Sequence, residues 1–104
     1  MKLLTKELID KMPKLYANED KKPEDVKIIV KFFCPWNSQW VWYATEMEKD
    51  GEDFRFFGYV RGFENELGYF MLSQLKSVKK FGLGIERDLH FGEHTLAEVM
   101  KERL

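Results

Sequence analysis

Three groups of residues in this chain have the types and spacing to do chemistry. Cys34 is the only cysteine, and His90 and His94 are the only histidines. A thiol beside an imidazole could serve nucleophilic catalysis. Nothing near Cys34 in sequence lowers a thiol pKa, however: it has no CxxC partner and follows an apolar run, where inert buried cysteines are common. Glu86, Asp88 and His90 alternate, so on a strand they would share one face and could hold a divalent metal. A single E-x-D-x-H is a weak signal, because strands with one solvated face commonly carry polar residues at alternate positions. Glu64 and Glu66 could form a carboxylate pair for acid–base hydrolysis, yet two acids in a tight turn are ordinarily solvated surface. Gly82-Leu83-Gly84 lacks the third glycine of a phosphate loop and ends a segment where such a site would open one. These residues therefore point to no catalytic group, no metal and no cofactor.

The aromatic residues are more informative. Thirteen of the sixteen lie between Phe32 and Phe70. Arg55 to Gly62 echoes the RNA-recognition signature but has Phe56 where that motif needs glycine and Gly62 where it needs an aromatic. That fold also needs a helix between its first two strands, and only Cys34 to Ser38 separates them here. Trp40 and Trp42, two apart, share a strand face and read as core. Trp36 sits in the preceding loop. The expected interaction surface comprises Trp36, Tyr43, Tyr59 and Arg61, since Trp, Tyr and Arg are enriched where proteins bind one another.

Positioning these residues requires a scaffold, and local patterns supply one. Leu3, Leu4, Leu8, Ile9, Met12 and Leu15 form a helical stripe capped by Thr5, its regular part ending near Met12 before Pro13. Residues 16–25 are polar and read as a loop. Val26, Ile28, Val30 and Phe32 alternate on one face of a first strand, ending at Phe33. Gln39 to Glu48 is a second strand, and Asp50-Gly51 begins a hairpin turn. Phe54 to Val60 and Leu67 to Met71 follow as strands three and four. Ser73 caps a short helix carrying Leu75 and Val78, which Gly82 and Gly84 end. Ile85 to Phe91 is a short strand or extended arm, and Thr95-Leu96-Ala97-Glu98 is a capping box opening a final helix. Arg87 falls among the apolar positions of the arm. Its expected role is an ion pair with an acid such as Glu46 or Glu64, with Glu86 and Asp88 in the same structural cluster.

The fold class is α+β in a single domain over residues 1–104: N-terminal helix, antiparallel meander of three to four strands, short helix, extended arm, C-terminal helix. The length of 104 residues suits one domain. One cysteine forbids an intrachain disulfide and suits a reducing cytoplasm. No segment has the length or apolarity of a signal peptide core or membrane span. Charge is uneven: residues 34–71 carry three Lys/Arg against seven Asp/Glu, while the whole chain is at −1. The acidic balance of the aromatic segment argues against phosphate contact.

Several spaced motifs carry a resemblance. Leu3-Leu4-Thr5, Val30-Lys31-Phe32-Phe33, Trp42-Tyr43 with Glu46, and Phe57-Gly58-Tyr59-Val60 with Gly62-Phe63-Glu64 appear in order. Glu66-Leu67-Gly68-Tyr69-Phe70 and Gly84-Ile85-Glu86-Arg87-Asp88 follow, with Phe91 after them. Together they resemble domain-of-unknown-function family 2958, a bacterial family also found on phages and other mobile elements. The resemblance implies a small stand-alone cytoplasmic protein and supplies no catalytic residue. The expected function is a non-catalytic protein-interaction module. The alternatives are an accessory protein for single-stranded nucleic acid and a small enzyme or metal-binding protein with an acidic site.

Overall fold

The computed structural model describes residues 1–102 and 104. Helix α1 spans Lys6–Lys11, with the Thr5 hydroxyl accepting from the Leu8 amide at 3.3 Å and Met12 closing the last turn. Strands β1 (Val30–Phe33), β2 (Val41–Asp50), β3 (Asp53–Arg61) and β4 (Asn65–Met71) follow, then α2 (Leu72–Ser77). A small hairpin of β5 (Lys79–Lys80) and β6 (Leu83–Gly84), a short β7 (Glu86–Arg87) and α3 (Leu96–Lys101) complete the order. The main sheet is five-stranded and runs β4-β3-β2-β1-β7, with every pairing antiparallel. The fold is α+β, and its central strands are the expected meander.

Both faces of this sheet are covered. On one, Phe32, Trp42, Met47, Phe56 and Phe70 pack with Leu3, Leu4, Leu72, Leu75 and Ile85. On the other, Val41, Tyr43 and Tyr59 pack with Val26, Ile28, Leu96 and Val99. The first strand is shorter than its alternation suggests. Val26 and Ile28 belong to the second cluster, whereas Val30 and Phe32 belong to the first. The chain changes sides here: Ile28 donates its amide to His94 and Ile29 donates to Ala44. Residues 26–28 therefore pair with the segment entering α3, through the Lys27–Thr95 bridge, and not with β2.

A β-bulge divides β2. Ala44 pairs with Gly58 and Glu46 with Phe57, which leaves Thr45 without a partner across the ladder. Opposed residues of an antiparallel pair share a face, and one extra residue reverses the alternation beyond it. Without the bulge Glu46 would point with Trp42 and Ala44 into the first core. With it Met47 takes that core position and Glu46 turns to the opposite face beside Phe57 and Tyr69. The Thr45 hydroxyl donates to the Phe57 carbonyl at 3.1 Å. A Cβ on Gly58 would lie 1.8 Å from the Tyr43 carbonyl oxygen, so only glycine admits this approach.

The helix after β4 begins at Leu72, two residues earlier than a Ser73 cap would place it: Met71 is the N-cap residue, its amide donating to the Gln74 side chain at 2.9 Å, and Ser73 lies inside the first turn. Asp53, at the start of β3, accepts from the Ser73 amide at 3.1 Å and from its hydroxyl at 2.5 Å. The helix stops at Ser77, and Gly82 and Gly84 belong to the small hairpin that follows. Phe81 and Gly82 form its tip with φ of 55° and 77°, the left-handed pair that a two-residue turn demands.

Candidate functional site

Burial removes most of the expected aromatic surface. Tyr43 and Tyr59 lie stacked beneath α3, with ring centroids 6.3 Å apart, and both are buried. The Tyr43 hydroxyl donates to the Leu104 main-chain oxygen. Arg61 is also buried: its Nη2 donates to the carbonyls of Val99 at 2.5 Å and Glu102 at 2.9 Å, satisfying the end of α3. Trp36 is half-buried against the first core. Trp40 stacks on Trp42 at 5.8 Å and covers Gly62, where a Cβ would lie 2.4 Å from the ring. The exposed aromatic in this region is Phe63, 93% accessible, set edge-on to Trp40. The four residues Trp36, Tyr43, Tyr59 and Arg61 thus form no common exposed surface, because α3 covers three of them.

The expected ion-pair cluster is also rearranged. Arg87 lies opposite Phe32 at the β7 edge of the sheet, on the first-core face. The Thr45 bulge has turned Glu46 to the other face, and Glu64 sits in the β3–β4 turn toward the opposite sheet edge. Neither carboxylate meets Arg87 in the ion pairs of the described residues. Asp88 instead pairs with Lys31 at 3.4 Å, and its amide donates to the Lys31 carbonyl, tying the arm to β1. Glu86 lies opposite Phe33 in β7.

The chemical constellations disperse as well. The arm leaves the strand after Arg87, and Asp88 folds back to accept from the His90 amide at 2.9 Å. Glu86, Asp88 and His90 therefore share no strand face, and no metal-holding group of three His, Cys, Asp or Glu occurs among the described residues. Cys34 is buried in the first core. His94 packs on Phe91 beside the second core and pairs with Glu98 at 3.3 Å. The sheet separates this thiol from this imidazole.

Among the concave surfaces of the described residues, two on opposite sides of the sheet combine charged groups with an apolar lining. The larger is a groove of about 700 Å³ between the N-terminal segment, α2 and the small hairpin. Its floor is Leu3, Leu4, Leu72, Leu75 and Ile85; Lys2, Lys76 and Lys79 stand on its rim with one acid, Glu86. Exposed Met1 and Leu83 line it, and exposed Phe81 extends beyond the hairpin with the Lys80 amine 5.2 Å from its ring centre. Three cations over an apolar floor can neutralise carboxylates while covering apolar side chains.

The second is a cavity of about 240 Å³ under the loop preceding β1. β1 covers β2 only over Val41–Ala44. Beyond it residues 13–18 lie alongside β2, with the Met47 amide donating to the Pro13 carbonyl. The buried Glu46 carboxylate fixes this loop, accepting from the Tyr16 amide at 2.7 Å and the Asn18 amide at 3.0 Å. Tyr16 takes φ 71°, a left-handed conformation costing a bulky residue roughly 1–3 kcal/mol. Its hydroxyl accepts from the Tyr69 hydroxyl at 3.3 Å across the cavity mouth. This bond holds the Tyr69 phenol above its ordinary pKa, and the nearby Glu46 charge acts in the same direction. Phe57 stands edge-on to Tyr69 with ring centres 5.2 Å apart.

Sequence patterns singled out none of Tyr16, Tyr69 or the lysine rim as a site. Tyr16 lies in a polar loop, and its partners Glu46 and Tyr69 are 30 and 53 residues away. The one local signal was the run of exposed lysines around Phe81.

An antiparallel sheet with both faces covered, a lysine-rimmed groove on one side and a tyrosine-walled cavity on the other define a small α+β protein built around surfaces. The family model described as protein of unknown function, DUF2958, matches residues 3–102, and the chain belongs to that family. No curated protein and no solved structure matches it. Among the described residues, no helix is long and apolar enough to cross a membrane.

Proposed function

We propose that this protein is a non-catalytic protein-interaction module. The observation that carries the reading is the groove in which Lys2, Lys76 and Lys79 rim a floor of four leucines and Ile85. Its complement is an extended or helical segment that is acidic and also carries apolar side chains. The exposed Phe81 and Leu83 at its border supply the apolar anchors that such contacts concentrate. The lone cysteine suits a reducing compartment. We place the protein in the cytoplasm on that ground, with a partner from the host or from the mobile element that carries the gene.

Single-stranded nucleic acid is the competing partner, since a lysine-flanked aromatic can stack on a base. The leucine floor favours protein, because phosphates gain nothing from an apolar surface. Affinity capture from the native host tests this, using the wild-type chain beside a Lys76→Glu/Lys79→Glu variant. A specific protein should be retained by the first and lost by the second. Binding of single-stranded DNA or RNA that falls steeply between two salt concentrations, with no protein captured, would sink the reading.

A further inference from the structure

The cavity on the opposite face has a chemistry of its own. Its deepest charged group is Glu46, 5% accessible. Both carboxylate oxygens accept one amide hydrogen each, which leaves each a further lone pair. None of the ion pairs among the described residues involves Glu46: those are Lys31–Asp88, Arg55–Asp50 and His94–Glu98. A carboxylate held out of water beside aromatic walls and outside those ion pairs makes a field that favours a cation; the Arg55 charge near Tyr69 is itself paired with Asp50.

The walls match that charge. Tyr16, Phe57 and Tyr69 line the cavity, and Phe57 stands at 63° to Tyr69, so the rings present differently oriented surfaces to the space. Aromatic faces attract cations through the ring quadrupole, and rings gathered around one point select ammonium groups. Pro23, Val26, Leu67 and Leu96 add apolar lining, with Asn18 and Thr45 as its uncharged polar side chains. At about 240 Å³ the space falls below the roughly 300–1,000 Å³ of clefts for drug-sized ligands. It suits a small head group. Lys21 and Glu19 also line the cavity, and both are exposed at its outer edge.

The strained tyrosine fits the same purpose. A polar loop residue has no packing need for left-handed backbone, yet Tyr16 adopts it and its hydroxyl reaches Tyr69. Strain held in place by a buried side chain concentrates where structure serves binding.

We propose that this cavity binds an alkylammonium head group, with Tyr16, Phe57 and Tyr69 around the cation and the Glu46 carboxylate beneath it. The head group belongs either to a free small cation or to a methylated lysine side chain, since both present the same chemistry. This goes beyond the groove and does not depend on it.

The test is a titration of the full chain at constant ionic strength, followed by amide shifts of Tyr16, Thr45 and Tyr69. The probe is tetramethylammonium chloride, with the uncharged isostere tert-butanol and sodium chloride as comparators. Tetramethylammonium should bind about tenfold more tightly than tert-butanol, the effect expected of ring faces plus a buried carboxylate. Tyr69 is half-exposed, so its replacement leaves the core intact. Tyr69→Phe should keep binding within about twofold and Tyr69→Leu should lose about tenfold. Nα-acetyl-Nε-trimethyl-lysine amide, run in parallel, distinguishes the sources: tighter binding than tetramethylammonium assigns the site to a side chain, weaker binding to a free cation. Equal binding of tert-butanol and tetramethylammonium would overturn the proposal, as would unchanged affinity in Tyr69→Leu.

Discussion

At the scale of single residues, Glu46 ties a distant loop to the sheet. It is buried, it accepts two backbone N–H bonds from a loop 30 and 28 residues distant, and it forms the floor of the cavity. Hydrogen bonds to a charged group contribute about 1.5–3 kcal/mol, and loss of the acceptor leaves two donors to find water. Glu46→Ala should therefore lower stability by about 2–4 kcal/mol in urea unfolding and expose Tyr16 and Asn18 amides to rapid hydrogen exchange. Tyr69 gives a second prediction. Its phenol stands above the ordinary value of 10.0, first because it donates to Tyr16. A folded-state pKa raised in this way means a contribution present below the unfolded value and lost as pH rises through the folded one. Spectroscopic titration should show Tyr69 ionising later than a free tyrosine, and Tyr16→Phe should bring it back toward 10.0. Neither role was visible in sequence. Glu46 read only as an acid that could pair with Arg87; an unbroken strand would have put it on the first-core face, where Arg87 lies.

At the scale of elements, the bulge at Thr45 explains that misreading. Strand alternation assigns faces only while the ladder is regular, and one extra residue inverts every assignment after it. The inversion depends on Gly58, which lets the β2 backbone come within a distance no Cβ would allow. Gly58→Ala should cost about 1–3 kcal/mol as an overpacked contact. Its larger signature should be loss of the Thr45–Phe57 hydrogen bond and of the Glu46 amide contacts, read from chemical shifts. Helix α2 shows the same dependence on distant chain. Its first turn is satisfied by Asp53 of β3, whose carboxyl is held below the ordinary value of 3.8, chiefly by the Ser73 hydroxyl. A depressed carboxylate pKa contributes stability above the unfolded value and loses it as pH falls through the folded one. Asp53→Asn should flatten the acid limb of the stability profile below pH 3.8. Helix α3 and its capping box, by contrast, were legible, because Thr95 and Glu98 bond each other within one turn.

At the scale of the whole molecule, one sheet holds two cores apart and places the groove and the cavity on opposite sides. Distant sites without shared partners act independently. Lys76→Glu/Lys79→Glu should thus abolish retention of an acidic partner while tetramethylammonium affinity stays within about twofold. The sequence by itself determined the α+β class, the caps at Thr5 and Thr95, a hairpin turn through Gly51 (its tip is Gly51-Glu52, with Asp50 paired to Asp53) and the order of the central strands. Each of these rests on contacts a few residues apart or on a periodicity carried by one segment. Tertiary structure alone decided which aromatics α3 covers, which face Glu46 occupies, and that Tyr16 and Tyr69 meet from 53 residues apart. Those outcomes depend on how strands slip past one another and on which loops lie over them. Their free energies belong to pairs of distant residues, and no single stretch of sequence records them.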